Sequence, residues 1–220
     1  MKKYEFTGET KQVELLFRTA TLHRIKAVAE FGVVKIGDIG GWIEKEENLS
    51  HEGNAWVCGD AKVYGNAEVW GNAKVYGNAK VWGNAKVYGD AEVYGNAEVY
   101  GNAEVYGDAK VYGDAWVYGD AWVYGDAWVY GDAEVRGNAK VFSISHVLVI
   151  GPIGSRNDFT TFFRDKDSEI TVKCGCFLGK IDKFLEKVCE THGDSQYAIV
   201  YRAAVEIAKQ QIDLSEEKQL

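Results

Sequence analysis

The residues best equipped for chemistry lie in one stretch, GPIGSRND (151–158), between the apolar run HVLVI (146–150) and the segment FTTFF (159–163). Its glycines let a backbone approach a ligand closely, Ser155 and Asn157 offer hydrogen bonds, and Arg156 presents a planar fork suited to phosphate or carboxylate. Strand alternation turns Thr160 away from Phe159 and Phe163, and Lys173 away from Val172 and Cys174, so both are expected to face Arg156. The expected site is an anion pocket of Gly154, Ser155, Arg156, Asn157, Thr160 and Lys173, completed by a neighbouring subunit. It contains no base or nucleophile, so it would bind without converting. Nucleotide-binding glycine loops run straight into a helix, whereas a strand follows here. An ordinary capping turn with a surface arginine remains the alternative.

Other reactive residue types are thinly spread. The four histidines, His23, His51, His146 and His192, are far apart in the chain, and only His146 stands near the candidate loop. The cysteines Cys58, Cys174, Cys176 and Cys189 include one C-x-C pair but no second pair to complete a zinc set. Asp90, Asp108 and Asp126 recur every 18 residues, yet Gly-Asp and Gly-Asn alternate freely at equivalent places, as tolerated turn residues do. No metal, cofactor or catalytic residue is expected.

These residues flank a periodic body. From Gly53 to Phe142 the chain reads G-[ND]-A-x-V-[aromatic] fifteen times without insertion. A six-residue period fits a strand and a corner per unit, with valine and alanine inward and Gly-Asn or Gly-Asp at the corner. The variable position sets the number of units per turn, because side chains one turn apart stack at about 4.8 Å and like charges there are costly. At a spacing of 18 the neighbours are Lys74/Glu92, Glu92/Lys110, Lys80/Glu98, Glu68/Lys86, Lys86/Glu104 and Lys62/Lys80, of which only the last is like-charged. Three units per turn follow, giving a triangular prism of five coils.

That geometry and the run V-x-G-N-A-x resemble the hexapeptide motif of left-handed parallel β-helix proteins. Many of these are acyltransferases with a histidine base, but here every histidine lies outside the repeat and no loop interrupts it. An acyltransferase stays open as one alternative. In the run GDAWVYGDAWVYGDAWVYGD, Trp116, Trp122 and Trp128 fall six apart and so form a belt, one on each face. With the ladders Tyr76/Tyr94/Tyr112/Tyr130 and Tyr88/Tyr106/Tyr124 they expose apolar surface that either stabilises the coils or contacts another subunit. A homo-oligomer, a trimer foremost, is expected.

The expected organisation is an N-terminal β cap (1–52), the repeat (53–142) and a C-terminal α+β domain (143–220). The cap has strand-like runs Val13 to Phe17, Leu22 to Ala27 and Val33 to Ile36 and a turn Gly37 to Gly41. The C-terminal domain reads as the strand HVLVI, a hairpin of 159–163 with 169–177, a helix from about Lys180 to Thr191 and a second starting near Asp194. The second helix carries Tyr197, Val200, Tyr201, Ala204 and Ala208 on one side and Ile199, Ala203 and Ile207 on another. The tail from Asp213 reads as frayed.

A net charge of −8 argues against a nucleic-acid partner, and no apolar run reaches the length of a membrane span. Together, L-H-R-I-K-A, G-G-W-I-E, the G-[ND]-A-x-V-Y rod, G-P-I-G-S-R-N-D and K-C-G-C-F-x-G resemble hexapeptide-repeat accessory proteins of bacteriophages and prophages. The resemblance implies a small non-structural protein in the cytoplasm of a host bacterium that counters host defence. It would do so by sequestering an anionic, nucleotide-like ligand or, alternatively, as a rod that blocks a host defence protein.

Overall fold

The computed structural model describes residues 2–15 and 18–215. Three antiparallel-connected strands, β1 (Tyr4–Glu14), β2 (Thr19–Ala27) and β3 (Ile39–Ile43), lead into fifteen short strands from β4 (Trp56–Val57) to β18 (Lys140–Val141). Successive levels of these strands pair in parallel 18 residues apart, building a three-faced β-solenoid. All six charge pairs read from the repeat are lateral partners, including the like-charged Lys62 and Lys80.

The repeat's chemistry accounts for this shape. Valine and alanine of every unit point inward, with Val99 and Ala97 both fully buried. The corner glycine takes a backbone that other residues avoid: Gly101 has φ +75°, and a Cβ there would sit 2.9 Å from the Gly119 nitrogen one level on. Ladders of asparagine run along the corners, Asn78 donating to Asn96 (3.1 Å) and Asn96 to Asp114 (3.0 Å). Aromatic rings stack level on level, as for Tyr88 on Tyr106 (4.8 Å) and Tyr106 on Tyr124 (4.8 Å).

The solenoid begins earlier than the repeat does. Ile43 pairs with Val63, and Leu49 bridges to Val69, so one face holds six levels: Ile43, Val63, Val81, Val99, Val117 and Val135. The expected five coils become about six because Ile43 and Leu49 occupy valine places without the hexapeptide consensus. The expected strand at Val33–Ile36 is a turn with Val33 86% exposed, and the expected turn at Gly37–Gly41 contains the start of β3. Gly41 serves close approach rather than turning: a Cβ would lie 2.7 Å from Val57 Cγ1. Residues 16 and 17 of the expected strand Val13 to Phe17 lie outside the described residues, as do the last five of the tail.

Both ends of the apolar interior are closed. At the first level Tyr4, Ile25, Ala27, Val34 and Trp56 join the core, and the Tyr4 hydroxyl bonds the Leu49 carbonyl at 2.8 Å. At the last level Val147 and Phe163 enter it. They belong to a four-stranded antiparallel sheet of β19 (Val147–Ile153), β20 (Asp158–Arg164), β21 (Ile170–Cys174) and β22 (Phe177–Lys180). The expected hairpin is present as β20 and β21, and β22 adds a strand beyond it.

Helices α1 (Ile181–His192) and α2 (Gln196–Gln211) pack on that sheet, burying Phe162, Val172, Phe184, Val188, Tyr201 and Val205 in a second core. Helix α1 stops at Gly193 as its sequence implies, while α2 is preceded by Ser195 rather than Asp194. Tyr197, expected on the same side of α2 as Tyr201, Ala204 and Ala208, is exposed while those three are buried, and Ile199, Ala203 and Ile207 are exposed too. Among the described residues no helix is long and apolar enough to cross a membrane.

Candidate ligand-binding groove

The GPIGSRND stretch is a tight hairpin. Residues 151–153 continue β19, Ile153 faces Asp158 across the ladder, and Gly154 to Asn157 form the turn. Gly154 and Asn157 both have positive φ, at +72° and +51°. The Tyr201 hydroxyl fills the space where a Gly154 Cβ would stand, so this glycine is needed for packing. Ser155, Arg156 and Asn157 are exposed, with the Arg156 guanidinium lying across Gly175 of the next turn.

Thr160 and Lys173 do not share a wall with this tip, which corrects the expected arrangement. The register sets Thr160 opposite Cys174 and Thr161 opposite Lys173, so Thr160 and Lys173 stand on opposite faces of the sheet. Thr160 is fully buried toward the helices and donates to Cys174 Sγ at 3.3 Å. Lys173 points toward the solenoid, where its ammonium donates to the Gly175 carbonyl (2.6 Å) and pairs with Glu134 (2.8 Å). The six residues therefore do not converge on one anion.

His146, the one histidine beside this region, is 1% exposed and closes the end of the solenoid. Its Nδ1 accepts from the Phe142 amide at 3.2 Å, and its ring meets Phe142 edge-on. Burial, aided by the Arg164 charge, pushes it down to about 4, so it is neutral at pH 7. Among the described residues no three His, Cys, Asp or Glu side chains gather as a metal site, and Asp90 instead accepts from the Asn72 amide (2.9 Å).

The belt of tryptophans is present, one per face: Trp116, Trp122 and Trp128 are 42%, 45% and 40% exposed. Being on separate faces, they cannot all meet one neighbour. Trp116 differs from the other two in its surroundings. It stacks laterally between Glu98 and Glu134, at the floor of a groove of about 610 Å³ between the solenoid face and the C-terminal sheet. Phe159 and Thr161 close the sheet side.

Five carboxylates and three lysines line this groove. Two carboxylates are answered from within, Glu98 by Lys80 (2.7 Å) and Glu134 by Lys173 and by the Tyr118 hydroxyl (3.0 Å). Burial and the Glu134 charge push that hydroxyl up to about 12, so it remains a donor. The rim carboxylates Asp114, Asp132 and Asp158 make no ion pair among the described residues; Asp114 accepts an asparagine amide, and Asp158 its own strand's Phe159 amide (2.8 Å). Lys62, stacked on Lys80, lies at the far end of the groove.

Sequence reasoning placed Trp116 on its face but missed the groove. The 18-residue spacing does assign Glu98 and Glu134 to its column, and Asp114 and Asp132 to the adjoining corner. What it lacks is which of three equivalent faces the C-terminal sheet leans over, since that depends on the path of the chain after Phe142. The fold and this groove define a capped β-solenoid with an acidic, aromatic cleft at its C-terminal shoulder. No known family model matches the chain, and no curated protein matches it either.

Proposed function

We propose that this protein is a non-catalytic binding rod that holds a cationic, extended segment of a partner protein in the groove over Trp116. The observation that carries the reading is the setting of Trp116: an exposed indole in a groove that Asp114, Asp132 and Asp158 also line, with Lys80 and Lys173 already engaged. An indole flanked by carboxylates suits a guanidinium or ammonium group, which gains both cation–π attraction and charge-assisted hydrogen bonds. Acidic grooves also gather cationic partners by long-range attraction.

An anion-sequestering role at the hairpin tip has less support, because its two intended walls face away from each other and Lys173 is neutralised by Glu134. The resemblance to phage accessory proteins is in keeping with a rod that acts by occupying the surface of a host protein. Calorimetry with an arginine-bearing peptide and a glutamate-bearing peptide of equal length tests the reading. Wild type is expected to bind only the first, more weakly as salt rises, and Trp116→Ala to weaken it by about 1–2 kcal/mol. Equal heats for both peptides, or none, would sink it.

A further inference from the structure

The two helices that close the C-terminal end present very different outer sides. That of α1 is mainly charged, with Lys183 paired to Glu186 and Lys187 to Glu190. The outer side of α2 carries instead an apolar line of Ile199, Ala203 and Ile207, with both isoleucines 52% exposed and Val200 half-buried beside them. At 3.6 residues per turn these positions fall on one side of the helix, facing away from the second core. Helix α2 lies on the sheet face opposite the solenoid, so this line and the Trp116 groove are on different sides of the sheet.

We infer that this side of α2 is an interface for a second copy of the same chain, the two α2 helices pairing antiparallel about a two-fold axis beside Ala203. The arrangement is self-complementary. The small Ala203 lets the backbones approach at the centre, and Ile207 of one copy meets Val200 of the other. On the remaining flank, Arg202 of each copy comes beside Glu206 of its mate. In the single chain these two charges have only surface partners: Arg202 donates to the Gly193 carbonyl (3.1 Å) and stands 3.5 Å from Asp194, and Glu206 pairs with Lys209 (2.9 Å). Both are free to turn to a mate at little cost, because exposed pairs of this kind are weak. The apolar line would then supply affinity and the charges the register.

One helix pair buries less than the roughly 1,200 Å² of a stable interface, so association in the range of about 10–100 µM is expected. Paired in this way, the solenoids point away from each other, and one particle carries two grooves. The inference does not depend on what the groove binds.

Sedimentation equilibrium of the full chain, across that concentration range and up to about 500 µM, tests it. Wild type should approach twice the chain mass, and Ile207→Glu should stay monomeric while keeping the wild-type circular dichroism spectrum. Arg202→Glu and Glu206→Arg should each weaken the dimer about three- to fivefold, and the double exchange should restore it. Restoration by the exchange cannot come from misfolding. A wild type monomeric throughout, a dimer that survives Ile207→Glu, or an exchange that fails to restore pairing would overturn the interface.

Discussion

His146 and Gly154 show how single residues in this protein are held by packing rather than by chemistry. The His146 imidazole binds protons less readily folded than unfolded, since burial lowers it from 6.5 to about 4. The unfolded chain therefore takes up the proton first as pH falls below about 6.5, and folding loses stability down to about pH 4. That loss is on the order of 2–3 kcal/mol, and below pH 4 the term is constant. Urea unfolding of wild type at pH 7 and pH 4.5, beside His146→Gln, reads it directly. The variant should show a smaller drop between the two pH values; an equal drop would mean that other groups carry the acid sensitivity. At Gly154, positive φ and the Tyr201 hydroxyl leave no room for a side chain. Gly154→Ala is thus expected to cost about 2 kcal/mol in thermal or urea unfolding, whereas Arg156→Ala, at an exposed turn, should stay within about 0.5 kcal/mol. If the order of these two effects were reversed, Arg156 would be structurally engaged in a way its exposure contradicts.

At the scale of elements, most solenoid strands are only two residues long, and their stability comes from the levels above and below. Val99→Asp would place a carboxylate in an interior of valine and alanine with no donor to meet it. A loss on the order of 4 kcal/mol is expected, with hydrogen exchange accelerated in the levels holding Val81 and Val117 before the more distant ones. Uniform exchange along the whole rod would contradict this nearest-neighbour picture. The same strict periodicity made these elements readable from sequence: inward valines, the 18-residue level and both helices follow from spacing alone. Less was legible where that spacing stops. The strand at Ile39–Ile43 hides behind Gly40 and Gly41, which look like a turn but admit Ile25, Trp56 and Val57 at close range. Strand alternation told which way Thr160 and Lys173 point within their own strands, but not which faces match across the hairpin, because that depends on the register set by the turn at 165–169.

For the whole molecule, the proposed binding site lies where two parts meet, the face of the solenoid carrying Trp116 and the sheet carrying Phe159. Each part alone is ordinary: Trp122 and Trp128 sit on equivalent strands, and Asp158 sits at the start of a hairpin strand. All three tryptophans line grooves, and that of Trp116 is set apart by the sheet strand carrying Phe159 and Thr161, which bounds it. This geometry implies selectivity among tryptophans that their sequence contexts hardly distinguish. Seven indole N–H groups are present, and each gives its own signal in a nitrogen–proton correlation spectrum. The Trp116 signal can be assigned by its loss in Trp116→Phe. Titrating the arginine-bearing peptide into the labelled full chain should shift the Trp116 signal progressively to saturation while those of Trp122 and Trp128 stay in place. Equal movement of all three, or movement of none at millimolar peptide, would contradict the groove as the binding site.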